Sequence, residues 1–377
     1  MISEVFGKPY VQSPRFFGSC THLAASYPAP LFQRGRCRRP GRKLLPGSPD
    51  RYRTLLDIQN PAANGRTILE FEGAGQKTEV YIYTRKVGSH VGGYDEWSVD
   101  ITEAIRKALA DPDCRKRFNG KVPLSIRCDN SRDTEMIPSD LSDFNVYGGL
   151  YRYVNLIYQP ALSFASFKLE TPVQKDLKSA TLKVQANFYN PNDTRQATVR
   201  FTLKDPNGKK VTEQTATDIL PLGEVHLFDI AIKNPMLWSP DQPQLYTCEF
   251  YPPNSRRRTD SNRTSRFPPL RICRLRSFQA KRKTLVIKRY SPHEDHAGVG
   301  AAMTEEQMVT EMKLMKEMGV NFIRLGHYQQ SNIILRLCDE LGILVWEEIP
   351  WCRGGLGGET YKIQARRMLT NMITQHH

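Results

Sequence analysis

No stretch of the sequence approaches the roughly 20 consecutive apolar residues of a membrane-spanning helix, so no such helix and no membrane partner is expected. The opening residues, MISEVFGKPYVQSP, have neither the basic start nor the apolar core of a secretory leader; export is not encoded there, and a cytoplasmic location is the default expectation. Eight cysteines, at 20, 37, 114, 128, 248, 273, 338 and 352, form no CxxC pair, which speaks against a zinc site or a small disulfide scaffold and for isolated thiols. Acidic residues are almost missing from two intervals. Residues 14–53 hold nine Lys or Arg and one acid, and residues 252–290 hold thirteen and one. These intervals carry net charges of +8 and +12 in a chain of +15, so the remainder is −5. The basic excess is therefore local, and a polyanion-binding function for the whole chain does not follow from it.

What is present is concentrated between Ser291 and Trp351. Thr304-Glu305-Glu306-Gln307 has the form of a capping box, and Met308, Met312, Met315 and Met318 mark the apolar stripe of the helix it starts. Gly319 ends that helix. Val320 to Leu325 reads as a buried strand that delivers Gly326, His327 and Tyr328 at its carboxyl end. Ser331 caps a second helix through Leu341, Gly342 stops it, and Ile343 to Trp346 forms a further strand delivering Glu347 and Glu348. Alternation of this kind implies a parallel sheet, with polar residues gathered at its carboxyl edge.

Residues toward the amino terminus follow a different period. Thr54 to Ile58, Thr67 to Glu72 and Glu79 to Tyr83 read as strands, followed by VGSHVGGYDEWSVDITEAI and SDLSDFNVYGGLYRYVNLIYQP. Thr181 to Phe188, Thr198 to Leu203 and Leu227 to Ile232 alternate as well, punctuated by Asn190-Pro191-Asn192 and Asp205-Pro206-Asn207-Gly208. Short strands separated by such turns suggest antiparallel sandwiches.

The runs PHEDHAG, MKEMGVNFIRLGHY and CDELGILVWEEIPW, with YDEWSVDITEAI, Ser139 to Pro160 and LWSPDQPQLYTCEF, resemble the family 2 glycoside hydrolases, the β-galactosidase and β-glucuronidase group. The resemblance runs from about Thr67 to His377. It implies a multidomain chain: a β jelly-roll sandwich, then an immunoglobulin-like β-sandwich, then the first part of a (β/α)8 barrel, about three βα units. The corresponding divisions are an irregular basic segment 1–51, a jelly-roll sugar-binding domain 52–162, a sandwich 163–275 and a partial barrel 276–377. Within this scheme 252–283 is expected to be irregular, with only Thr284 to Arg289 keeping a strand pattern. Both basic intervals read as altered sequence, such as a frameshift would give, and the Trp-rich opening of the family is missing.

Retaining glycosidases use two carboxyl groups roughly 5–5.5 Å apart. The resemblance places both, the acid/base and nucleophile Glu, beyond His377, so no catalytic residue is assigned and this chain is expected to be inactive. Adjacent strand residues face opposite ways, so Glu347 and Glu348 cannot bracket a glycosidic bond and are expected as supporting groups. By the family pattern Asp143, His293 and His327 contact sugar, and Trp351 could stack on a sugar face. No metal is expected, because Trp351-Cys352-Arg353-Gly354 stands where some members place ligands, and no cofactor is expected either. The expected partner is a carbohydrate with a terminal β-glycoside, the parent type a β-galactosidase. A non-catalytic carbohydrate-binding remnant is the main rival; a nucleic-acid-binding protein resting on the basic intervals is the second and is not adopted. Nothing in the sequence specifies an oligomeric state.

Overall fold

A computed structural model of the chain describes residues 11–12, 50–60, 64–131, 133–139, 142, 144–251, 253–254, 270–273, 286–351 and 357–376. The first unit contains β1 (Val11–Gln12), β2 (Asp50–Leu56), β3 (Arg66–Phe71), β4 (Ala74–Gly75), β5 (Lys77–Ile82), β6 (Arg85–Val91), β7 (Trp97–Asp100), β8 (Val122–Asp129), β9 (Gly149–Leu150) and β10 (Val154–Gln159). Two antiparallel sheets, ordered β1-β10-β3-β7 and β2-β8-β5-β6, enclose a core that includes Leu69, Phe71, Val80, Ile82, Leu124 and Leu156. Strict alternation in β3, β5 and β8 puts one residue in two on that core. Between β7 and β8 lie α1 (Thr102–Ala110) and α2 (Pro112–Phe118). Asp111 separates them, its side chain accepting the Cys114 N–H at 3.0 Å, and Pro112 takes the first helical position.

The expectation of an irregular segment through residue 51 fails at two places. Strand β2 already begins at Asp50, and Val11–Gln12 pairs with Ile157 and Leu156. Two-residue pairing leaves no period for sequence to display. The other residues of that segment lie outside the described residues, as do Cys20, Cys37 and Cys352. Cys114, Cys128, Cys248 and Cys338 are buried free thiols.

The second unit is a seven-stranded sandwich of β11 (Ser163–Glu170), β12 (Ser179–Tyr189), β13 (Ala197–Lys204), β14 (Lys210–Ile219), β15 (Glu224–Lys233), β16 (Thr247–Phe250) and β17 (Leu270–Cys273). Its sheets run β11-β12-β15 and β14-β13-β16-β17, packed through Val184, Phe201, Leu203 and Phe250. The Asp205 carboxylate accepts the N–H groups of Asn207 and Lys209, each at 2.9 Å, and Gly208 takes φ +79°, as the Asp-Pro-Asn-Gly turn demands. Strand β17 corrects the reading of 252–283 as irregular throughout. Its backbone pairs antiparallel with the whole of β16, so four residues suffice to close the sheet within an Arg-rich interval. Most of that interval otherwise lies outside the described residues.

In the third unit β18 (Arg289–Tyr290), β19 (Phe322–Arg324) and β20 (Leu344–Trp346) are parallel neighbours, connected through α3 (Glu305–Glu317) and α4 (Asn332–Leu341), with α5 (Glu359–His376) following. The capping box at Thr304 is formed in both directions, with Thr304 Oγ1 accepting from Gln307 N–H and Gln307 Oε1 accepting from Thr304 N–H. Met308, Met312 and Met315 are buried, but Met318 is 68% exposed, contrary to the expected stripe. It is the C-cap residue, and the chain turns away at Gly319, φ +81°. Of the strand expected from Thr284, Thr284 and Leu285 lie outside the described residues, and among the described ones the strand is Arg289–Tyr290. Asn321 replaces the ladder there, accepting the Lys288 N–H and donating to the Val286 carbonyl, both at 2.9 Å.

Contacts between units are specific. Trp238 of the second sandwich donates its indole N–H to the Asp339 carbonyl of α4 at 2.9 Å. A Cβ at Gly342, φ +72°, would meet the Pro240 carbonyl oxygen at 2.3 Å, so the residue ending α4 must be glycine on both counts. Glu135 of the first sandwich accepts the Gly358 and Tyr361 N–H groups at the start of α5, and Ile137 packs against Tyr361 and Met368.

Parallel sheets are normally covered on both faces. Here Val286, Ile287, Trp346, Ile363 and Ile373 are all more than half exposed, and among the described residues β18 and β20 each pair on one side only. The 377-residue chain is expected to self-associate through this unit. Light scattering after size exclusion checks this, and a monodisperse monomer at tens of micromolar would contradict it.

Candidate functional site

The carboxyl ends of the three parallel strands open on one edge, where the loops after them place His293 and Glu294, then His327 and Tyr328, then Glu347 and Glu348. The rings of His293 and His327 are 5.5 Å apart. Phe144, from the first sandwich, stacks on His327 at 5.7 Å and 16° and lies 6.2 Å from His293. The two imidazoles and this phenyl ring thus form a common wall to which both units contribute. Behind it Tyr328, buried, stacks on Tyr94 at 4.1 Å. Asp143, the residue before Phe144, lies outside the described residues, as does the stretch from Cys352 to Gly354.

Arg324 at the end of β19 organises the polar side of this wall. It pairs through Nε with Glu348 Oε1 and donates from its terminal nitrogen to Glu348 Oε2 at 2.9 Å and to His327 Nδ1 at 3.1 Å. A guanidinium has no acceptor, so Nδ1 of His327 must accept, and the ring's donor is Nε2. Glu348 also stands 3.9 Å from His327. Glu348 therefore faces the histidine and is held by an arginine; Glu347 beside it is half-buried. Trp351 is 49% exposed, past the end of β20.

Sequence reasoning missed the most enclosed part. Arg152 and Glu294 are 2% and 1% exposed in their side chains and form a bidentate pair, both contacts at 3.0 Å. All five guanidinium N–H bonds are used: the remaining three reach the carbonyls of Glu72 at 3.1 Å, Tyr94 at 3.2 Å and Gln329 at 2.6 Å. Glu294 Oε2 also accepts the Ser331 N–H at 2.7 Å, and the Tyr328 hydroxyl accepts the Glu294 N–H. Burial pushes the Glu294 carboxyl up from its ordinary range, against the pull of Arg152. For Arg152 burial works downward but is outweighed by Glu294 and Tyr151, and its pKa is raised. The signal was present in two places, the Arg of GGLYR and the Glu of PHEDH, but nothing in one dimension joins residues 142 apart.

Two antiparallel sandwiches leading into parallel βα units, with imidazoles and carboxylates at the strand ends, are the architecture of the modular glycoside hydrolases. The profile described as "Glycosyl hydrolases family 2" matches residues 162–264, and that described as "Glycosyl hydrolases family 2, TIM barrel domain" matches 273–371, together more than half of the chain. The chain belongs to glycosyl hydrolases family 2. A crystal structure of Parabacteroides merdae β-glucuronidase with glycerol in its active site is 55% identical with a TM-score of 0.82, the match covering 90% of this chain and 43% of that one. Bacteroides uniformis β-glucuronidase 3 is 52% identical, TM-score 0.78, over 89% of this chain and 42% of that one. A β-galactosidase of Thermoanaerobacterium thermosulfurigenes is 28% identical over 86% of this chain and 44% of its own length. The chain spans less than half the length of curated relatives it matches, 38% of a β-glucuronidase-like protein of Formosa agariphila and 48% of a β-glucuronidase of Bacteroides fragilis.

Removing one member of a buried ion pair leaves the other charge uncompensated, at a cost of about 3–5 kcal/mol, whereas replacing both by apolar groups is often far milder. Arg152→Met and Glu294→Leu are each expected to lower stability by about that amount, with the double variant losing clearly less than the sum. Urea denaturation followed by tryptophan fluorescence measures it; additive losses would show that the pair acts as two independent residues.

Proposed function

We propose that these residues form one wall of the sugar site of a retaining β-glycosidase, with terminal β-glucuronides as the favoured substrates. The observation that carries the reading is the meeting of His293, His327 and Phe144 at the carboxyl ends of the first two parallel strands. An imidazole whose Nδ1 accepts from Arg324 carries its proton on Nε2, a donor of the kind a sugar hydroxyl can accept, and Phe144 gives the ring an apolar border. In this reading Asp143 reaches the same sugar and Trp351 stacks on one of its faces, while Glu348 acts only through Arg324 and His327. The sequence by itself favours a β-galactosidase; β-glucuronidases at 55% and 52% identity support the glucuronide instead, and the β-galactosidase relative at 28% keeps galactosides as the second reading.

Hydrolysis with retention requires one carboxyl group to donate a proton and another to attack the anomeric carbon. Neither Glu294 nor Glu348 is available for this, since each is engaged by an arginine, and Glu347 is the immediate neighbour of Glu348. The 377 residues alone are therefore expected to bind sugar without turning it over. Titration calorimetry with methyl β-D-glucuronide and methyl β-D-galactoside should find weak binding, stronger for the glucuronide. His327→Ala should weaken it about tenfold, the equivalent of one hydrogen bond of about 1.4 kcal/mol. Release of p-nitrophenol from its β-glucuronide or β-galactoside above a mock preparation would overturn the expectation of inactivity. Binding that is indifferent to His327→Ala would overturn the assignment of the wall.

A further inference from the structure

The outward face of the sheet containing β2, β8 and β5 carries a groove of about 610 Å³, within the range of small-ligand sites. Strand register sets out its floor in rows. Arg51 stands opposite Arg127, and Arg127 opposite Glu79; Arg53 stands opposite Ser125, and Ser125 opposite Tyr81. In the third row Leu55 is opposite Pro123, whose carbonyl accepts the Tyr83 N–H at 2.8 Å. The intervening Val80, Ile82, Leu124 and Ile126 belong to the core, so these rows face away from it. Phe118 at the end of α2 closes one side, edge-on to Tyr83 at 6.1 Å.

Like charges directly opposite each other on paired strands repel. Arg127 is relieved by Glu79 at 3.3 Å and Asp129 at 2.9 Å. Arg51 and Arg53 are exposed, and among the described residues neither has an ionic partner. Two residues apart on one strand, they project from the same face about 7 Å apart at their origins. Beside them Leu55 is 47% exposed, an apolar surface next to two unmatched cations. Tyr81 is held against the floor by donating to Glu79 at 3.0 Å.

We propose that this groove binds a uronic-acid-bearing oligosaccharide, its carboxylate held between Arg51 and Arg53 and its ring faces laid on Leu55, Pro123 and Tyr81. The planar guanidinium fork matches a carboxylate in two-point contact better than it matches a tetrahedral anion. Arg117 and Arg127 also line the groove, but Arg117 is paired with Asp113 at 3.5 Å and Arg127 with Glu79 and Asp129, so the charge left for a ligand is that of Arg51 and Arg53, enough for an isolated carboxylate rather than a phosphate at every unit. The groove shares no residue with the loops that carry Tyr94, Phe144 and Arg152 to the barrel strands, so it is a second site and does not depend on the reading of the first.

Affinity electrophoresis and calorimetry of the 377-residue chain with tetragalacturonate test this, alongside its methyl ester, a sulfated tetrasaccharide and a single-stranded oligonucleotide. Tetragalacturonate is expected to bind, to weaken at least about tenfold in the double variant Arg51→Gln/Arg53→Gln, to weaken in Tyr81→Ala, and to be unaffected by His327→Ala. Methyl esterification, which alters only the ligand, should abolish binding whatever the variants do. Absence of tetragalacturonate binding, equal binding of the ester, no loss in the arginine variant, or tighter binding of the sulfated sugar or the oligonucleotide would each overturn the proposal.

Discussion

One buried guanidinium holds the site together. Arg152 leaves the first sandwich just before β10 and spends its five donors on both units: two carbonyls of its own domain, the Glu294 carboxylate of the loop after β18, and the Gln329 carbonyl after β19. Glu294 in turn accepts the N–H of Ser331, the N-cap of α4. A single ion pair thereby fixes three loops relative to one another, and His293 and His327 sit on two of them. Desolvating two charges is costly enough that such a pair adds little net stability. Its value lies in orientation, because a docking that buried one of the two without the other would strand a charge away from water.

The remaining contacts between units obey the same logic with smaller forces. Trp238 seats its N–H on the Asp339 carbonyl, Gly342 allows the Pro240 carbonyl to approach, and Glu135 caps the first turn of α5. The first satisfies a buried indole N–H, the second is steric, and the third gives the open N–H groups of a helix start an acceptor from another unit. Asp95, wholly buried, accepts from Asn371 of α5 at 2.9 Å and meets His90 at 2.9 Å, which ties the last helix to the first sandwich a second time.

Legibility from sequence divided along this line. Elements governed by neighbours a few residues apart were readable: the Thr304 capping box, the glycines closing α3 and α4, the alternation in β3, β5 and β8, and the histidines at strand ends. The residues that were not readable act across the chain. Arg152 and Glu294 looked like parts of local motifs, and Phe144 looked like the neighbour of a more interesting aspartate. Strand β17 and the short β18 escaped for another reason, since pairing with an existing edge needs only a few residues and imposes little pattern on them. Met318 failed because a helical stripe was extended one residue beyond where the chain stops being helical.

Arginine shows most clearly why local sequence underdetermines role. At position 152 the side chain is enclosed, so every donor must be satisfied and its partner must be ionised; the outcome is architectural. At position 324 it is about a quarter exposed, so it can be divided between Glu348 and His327 and so determine which imidazole nitrogen carries the proton. At positions 51 and 53 water supports the charge and no carboxylate is required, which leaves both cations open to an external anion. Composition treats all four residues alike as contributions to a net +15. Desolvation separates them, because the cost of an unpaired charge rises steeply with enclosure and only the exposed ones can remain unpaired. Burial therefore assigns Arg152 to holding the two units in register and Arg324 to fixing the tautomer of a histidine, and it is the lack of burial that makes Arg51 and Arg53 the candidates for recognition.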